Sequence, residues 1–148
     1  MRYLAVIDTN VIVSAFISKN KLSPPSIIVK ETFDGMIVPI INDSILHEYR
    51  VVLLRPKFHL KKEDVESFLL RIKHYGLKVE PTPTDEEYPD PDDTVFYETA
   101  MSLREEGCLV FTGNIKYFPQ KDFVVTPSEM IYRMNSAVKE NISLSSLI

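Results

Sequence analysis

Two stretches of this 148-residue chain are apolar at every position: Tyr3-Leu4-Ala5-Val6-Ile7 and Cys108-Leu109-Val110-Phe111. A strand with one wet face alternates apolar and polar residues, so an unbroken run of this length predicts a strand covered on both faces, as in the interior of a parallel sheet. Three of the four glycines, Gly35, Gly76 and Gly107, each close a helix-like segment and precede an apolar run. Glycine adopts positive φ without steric cost, so all three are expected to be helix C-caps that lead into strands. The implied strands are Tyr3–Ile7, Met36–Ile40, Leu77–Val79, Cys108–Phe111 and Phe123–Val125, with helical segments near 10–17, 25–34, 43–54, 61–75, 91–106 and 127–137. This alternation predicts an α/β domain with a parallel sheet and right-handed crossovers. One domain is expected over residues 1–137, followed by a polar C-terminal tail over 138–148.

No apolar stretch is long enough to span a bilayer and the N-terminus runs straight into a strand, so a soluble, cytoplasmic protein is expected. The single cysteine, Cys108, lies inside an apolar run, which excludes a disulfide framework and a thiolate metal site. Net charge is -4, which alone would argue against a nucleic-acid partner. Its distribution argues otherwise. Residues 79–103 hold eight acids and no Lys or Arg, so the rest of the chain sets 17 Lys and Arg against 13 acids. The most basic stretch is 47–78, with eight Lys/Arg, four acids and all three histidines, His47, His59 and His74. An anion could bind there, with Arg50, Arg55, Lys57, Lys61 and Lys62 as the candidate phosphate contacts, although a solvated pair of helices accounts equally for any one of them.

In an open parallel sheet the ligand crevice lies beyond the carboxyl ends of the strands. The first apolar run ends in Asp8-Thr9-Asn10 and the fourth in Thr112-Gly113-Asn114, so neighbouring strands would bring two polar clusters to one cleft. Each cluster also has a structural account: Asp8 as helix N-cap, Thr112–Asn114 as a turn. Asp90-Pro91-Asp92-Asp93 opens the helix near 91–106, with Asp90 suited to the N-cap and Pro91 to the first helical position. Capping needs fewer acids than this, and crowded carboxylates repel unless a cation or proton intervenes. In 43–54, Glu48 falls about 100° from the centre of the Ile45/Leu46/Tyr49/Val52/Leu53 stripe, where it can reach a neighbouring cleft or remain a solvated surface acid. Oxygen donors without Cys or His select Mg²⁺ or Mn²⁺ over Zn²⁺.

At these residues the chain resembles the PIN-domain family of metal-dependent ribonucleases, in particular the toxins of prokaryotic toxin-antitoxin pairs. The resemblance covers roughly residues 3–130 and rests on Val6-Ile7-Asp8-Thr9-Asn10-Val11-Ile12-Val13-Ser14-Ala15, the helical Glu48, Asp90-Pro91-Asp92-Asp93 ahead of Phe96 and Thr99-Ala100, and Leu109-Val110-Phe111-Thr112-Gly113-Asn114. It implies a three-layer α/β/α sandwich around a central parallel sheet of four to five strands. It also implies that Asp8, Glu48 and Asp93 bind a catalytic Mg²⁺ or Mn²⁺. Asp93 stands seven residues before Ala100, as the family's acid stands before its helix Ala, and Asp92 is the adjacent competitor. Thr9, Asn10, Ser14, Thr112 and Asn114 would be supporting groups. The family's fourth position is often Asp but is Asn114 here, which brings no charge, so a second metal would bind weakly. The implied reaction is in-line hydrolysis of an RNA phosphodiester by a metal-activated water, leaving 5′-phosphate and 3′-hydroxyl ends. Implied partners are RNA, a cognate antitoxin protein and a second copy of the chain, with no membrane. Two rival readings are a PIN-like module that binds RNA or protein without cutting, suggested by Asn114, and a phosphoryl-transfer enzyme with Asp8 as nucleophile. The second lacks its usual Asp-x-Asp partner, since Asn10 stands in that place.

Overall fold

The computed structural model describes the backbone of residues 2–146 and the side chains of residues 2–140. Five strands, β1 (Tyr3–Ile7), β2 (Ile37–Ile41), β3 (Leu77–Lys78), β4 (Leu109–Phe111) and β5 (Val124–Val125), form one sheet in the order β3-β2-β1-β4-β5. Every neighbouring pair is parallel, with Ala5 beside Pro39 on one side and Leu109 on the other. β1 and β4, the continuous apolar runs, each have a strand on both sides, as their lack of alternation predicts. Pro39 cannot donate a ladder hydrogen bond, yet it is accommodated in an interior strand because β3 pairs with β2 only at Ile40 and Ile41.

The helices are α1 (Thr9–Ile17), α2 (Pro24–Phe33), α3 (Asp43–Leu53), α4 (Lys62–Tyr75), α5 (Thr94–Ser102) and α6 (Pro127–Ser146). α2 and α4 pack on β2, whereas α5 packs on β1, β2 and β4. The strand order runs outward from β1 in both directions, so right-handed crossovers put these two groups on opposite faces and give the α/β/α sandwich. Between the layers lie the buried side chains Val6, Ile7, Ile40, Val110 and Phe111 of the sheet and Ile45, Tyr49, Phe96 and Tyr97 of the helices.

Several local expectations need correction. The helix expected over 91–106 is three pieces: a 3-10 turn Pro91–Asp93, α5, and a second 3-10 turn Arg104–Glu106 that Gly107 ends at φ 85°. Gly35 likewise has φ 89°, but Gly76 has φ -87° and is not a left-handed cap. Glycine is required there by close approach, since a Cβ would stand 2.7 Å from the Ile72 carbonyl oxygen and 2.9 Å from that of Pro39. The acidic segment before residue 91 is irregular, yet it straps α5: Thr82 N–H donates to the Glu98 carbonyl at 2.9 Å and Thr84 N–H to the Glu98 carboxylate at 2.7 Å. The boundary expected after residue 137 falls within α6, and residues 147–148 of the expected tail lie outside the described residues.

Candidate functional site

The chain reverses its direction of travel across the sheet between β1 and β4, and in open parallel sheets a crevice forms at such a switch. Asp8 leaves β1 here and Thr112 leaves β4. Asp8 occupies the N-cap position of α1, but its carboxylate makes no capping hydrogen bond. Its Oδ2 accepts instead from Thr112 Oγ1 at 2.7 Å and from Asn10 Nδ2 at 3.0 Å. Asn10 Oδ1 in turn accepts from Gly113 N–H at 3.1 Å, and Thr112 Oγ1 from Asn114 N–H at 3.0 Å. The two polar clusters are therefore stitched to one another, which neither simple capping nor an isolated turn would require.

Glu48 reaches the same cleft from α3. Its neighbour Tyr49 is fully buried, and the Tyr49 hydroxyl donates to the Ile7 carbonyl at 2.5 Å, fixing α3 over the end of β1 one residue before Asp8. Asn42, also buried, fixes the other end of the helix: Oδ1 accepts from Ile45 N–H at 3.0 Å, while Nδ2 donates to the Val79 carbonyl at 3.1 Å and to Thr99 Oγ1 on α5 at 2.8 Å. Asp90 caps the 3-10 turn by accepting from Asp92 N–H at 3.0 Å, which presents Asp92 and Asp93 to the cleft. The resulting cavity, about 410 Å³, is lined by Asp8, Thr9, Asn10, Ser14, Glu48, Asp90, Asp92, Asp93 and Asn114, together with Val13, Val52, Arg55, Phe58 and Tyr117. Ser14, Asn10 and Asn114 also border an adjoining groove of about 480 Å³ walled by Pro24, Pro25 and Pro127.

The cleft is under electrostatic tension. Burial pushes the Asp8 carboxyl up to about 6, opposed by the hydrogen bond from Thr112 and reinforced by the charge of Glu48. Asp93 is pushed up to about 7, first by burial and then by Asp8, Asp90, Glu48 and Asp92. Glu48 is raised by burial and by Asp92. Among the described residues no cation offsets the repulsion at Asp8 or Asp93, whereas Arg55 partly offsets it at Glu48. Thr9 Oγ1, in the wall of the same cleft, is among the described residues the one buried side-chain polar atom without a hydrogen-bond partner. Among the described residues, no three Asp, Glu, His or Cys side chains stand close enough to ligate one ion as they lie.

Of the expected basic contacts, Arg55 alone lines the cleft. Arg50 turns to the opposite side of α3, where its guanidinium donates to both carboxylate oxygens of Glu66 on α4 at 2.8 and 3.1 Å. Lys57, Lys61 and Lys62 are exposed and stand outside the cavity. His47, His59 and His74 are exposed as well. Cys108 is buried, and burial pushes its thiol up to about 12, which suits no thiolate chemistry. Sequence reasoning missed Asn42 as a brace and saw Tyr49 only as part of an apolar stripe. A polar hydroxyl within such a stripe needs a buried partner, and that was the available signal. It also missed Phe58 and Tyr117, for which no periodicity gives a cue.

The PIN domain family matches residues 4–116, and the chain belongs to that family. PIN domains are generally nucleases and typically use divalent metals. Among curated proteins none matches the chain. No helix among the described residues is long and apolar enough to cross a membrane.

Proposed function

We propose that the protein is a Mg²⁺- or Mn²⁺-dependent endoribonuclease, with Asp8, Glu48 and Asp93 as metal ligands. The observation that carries this is the set of carboxylates from three separate elements, β1–α1, α3 and the turn before α5, facing one another in a single cleft with their pKa values raised. The donor chemistry suits the metal, since carboxylate, hydroxyl and amide oxygens favour a hard dication and a buried unpartnered hydroxyl, Thr9 Oγ1, stands beside them; the three carboxylates must draw together to share one ion. Asp93 is favoured over Asp92 because it is half-buried and raised by the charge of Asp8, whereas Asp92 is exposed; both interact with Glu48. When bound, the cation would lower the pKa of a water and balance charge on the phosphate and leaving oxygen.

The protein's own residues then have defined work. Thr112 and Asn10 hold the Asp8 carboxylate in place and in its charged form. Asn42 and Tyr49 hold α3 so that Glu48 faces Asp8 across the cleft. Ser14 and Asn114, at the junction with the adjoining groove, are positioned to orient the RNA backbone, and Arg55 supplies positive charge at the rim. Lys57, Lys61 and Lys62 extend that charge outward. From the resemblance to the PIN-type toxins of prokaryotic toxin-antitoxin pairs, we further propose a cytoplasmic toxin restrained by an antitoxin, with a second copy of the chain as a further partner. The direct experiment incubates wild type and Asp8→Asn with a panel of structured RNAs and Mg²⁺ or Mn²⁺. Metal-dependent cutting by wild type alone is expected, and identical behaviour of the two rejects the enzyme. For the toxin role, induced expression should arrest growth and co-expression of the adjacent reading frame should relieve it.

Asn114 favours one second reading, a PIN-fold module that binds RNA or a protein without cutting. Calorimetric titration with Mn²⁺ separates the two: binding lost in Asp8→Asn and Asp93→Asn supports the nuclease, and its absence in wild type supports the module.

A further inference from the structure

The carboxylates explain a reaction centre but not how RNA stays there, because an acidic floor repels a polyanion. Two aromatic rings line the same cleft, Phe58 from the 3-10 turn Pro56–Phe58 that follows α3 and Tyr117 from the turn Ile115–Tyr117 that follows β4. They arrive from different parts of the chain, one after the helix that carries Glu48 and the other just beyond Asn114. Tyr117 is 41% exposed, and Phe58 is half-buried against the core. A lysine ammonium from the preceding residue lies over each ring: Lys57 Nζ is 5.1 Å from the Phe58 centroid and Lys116 Nζ 5.2 Å from that of Tyr117. Ring and cation together match the two halves of a nucleotide, base and phosphate. A base presents a neutral π-face, so it can approach an acidic cleft where phosphate alone is repelled, and stacking on aromatic side chains is a main source of affinity for single strands.

We propose that Phe58 and Tyr117 are the nucleobase-stacking residues of this cleft, holding unpaired bases of an RNA strand while Lys57 and Lys116 meet its phosphates. The proposal rests on the nuclease reading for the identity of the bound strand. Paired bases in an RNA duplex offer no free face to either ring, so the two residues also set a preference for unpaired segments.

The chain contains no tryptophan, which makes a clean reporter available. Tyr117→Trp, placed in an Asp93→Asn background to prevent cutting, gives a single indole whose fluorescence a stacked base quenches. A single-stranded RNA hexamer should quench it, whereas an abasic hexamer of the same charge should not. By fluorescence anisotropy in the same background, Phe58→Ala and Tyr117→Ala should each weaken hexamer binding about tenfold. Phe58→Tyr and Tyr117→Phe should retain it, and binding of the abasic hexamer should be insensitive to all four. Equal affinity of the alanine variants and the parent for the hexamer, or equal quenching by the abasic strand, overturns the stacking assignment. If wild type cuts RNA with Mg²⁺ all the same, the nuclease reading survives that result. Ring-dependent binding without any cutting by wild type has the opposite meaning: the nuclease reading fails and the stacking assignment stands. Absence of all RNA binding overturns both.

Discussion

Helix α3 borders two charged regions that behave in opposite ways. On one side Glu48 faces Asp8, Asp92 and Asp93, and the carboxyls of Asp8, Glu48 and Asp93 are all raised by burial and mutual repulsion. On the other, Arg50 is held by Glu66 and Lys78 lies 3.3 Å from Asp43, so the charges cancel locally. The sequence makes the second region the more conspicuous, with its surplus of Lys and Arg between residues 47 and 78. Charge density is therefore a poor guide to a site. What separates Arg50 and Lys78 from the cleft carboxylates is that each already has a partner within the protein, and an unpartnered group can still gain energy from a ligand.

The sharpest way to break this contrast is to neutralise each side in turn. Asp8→Asn and Asp93→Asn should each lower metal-dependent RNA cleavage by more than about 100-fold in single-turnover assays. The same changes keep shape and remove a buried charge, so at pH 8 without metal they should raise the melting temperature. A variant that keeps its activity, or one that is less stable than wild type in metal-free buffer, would contradict the picture of mutually repelling ligands.

Next in size is the pH dependence of the metal-free protein. Asp8 titrates near 6 and Asp93 near 7 when folded, against 3.8 for an ordinary Asp. The folded state therefore binds more protons than the unfolded state between about pH 4 and 7, and stability must fall as pH rises through that window. For Asp8 alone the loss is about 3 kcal/mol. Thermal melts from pH 5 to pH 8 should show this decline, and millimolar Mn²⁺ at pH 8 should reverse it. A flat profile would mean that the acids are already compensated.

A smaller loss, about 2 kcal/mol, is expected from Asn42→Ala, which removes a helix cap, a buried hydrogen bond to Thr99 of α5 and a partly buried one to the Val79 carbonyl after β3. Chemical denaturation would measure it, together with a fall in kcat as Glu48 loses its fixed position. Smallest is Arg50→Gln. Its pair with Glu66 is partly exposed, so stability should change by less than about 1 kcal/mol and cleavage by less than twofold. A large loss of RNA binding would restore Arg50 as a substrate contact.

Much of the fold is written in local pattern. The unbroken apolar runs mark β1 and β4 because only interior strands can bury every residue, and strand-end position then singles out Asp8 and Thr112. What the sequence hides is tertiary. Gly76 follows a helix and precedes a strand, just as Gly35 does, yet it is needed for the approach of the Pro39 carbonyl from another strand. Glu98 looks like one more member of an acidic patch, but it anchors the segment that crosses α5. Arg50 and Arg55 are five residues apart and chemically alike, yet Arg50 lies within α3 and pairs with Glu66 on α4, whereas Arg55 follows the helix and lines the cleft. Among the site residues, the linear order of Asp8, Glu48 and Asp93 is legible, whereas Asn42 and Tyr49, which hold them, make their bonds to elements far away in the chain.

The hydrogen bonds at Asp8 have a further consequence. Asn10 and Thr112 both donate to Oδ2, and the Thr112 hydroxyl is oriented because its oxygen accepts from Asn114 N–H. Oδ2 is thereby committed to the protein, and Oδ1 is the oxygen that neither donor uses. As a metal ligand Asp8 would offer Oδ1 alone. If it holds Mg²⁺ or Mn²⁺, more of the coordination would fall to water or to the substrate, and tight metal binding would then depend on the arrival of RNA.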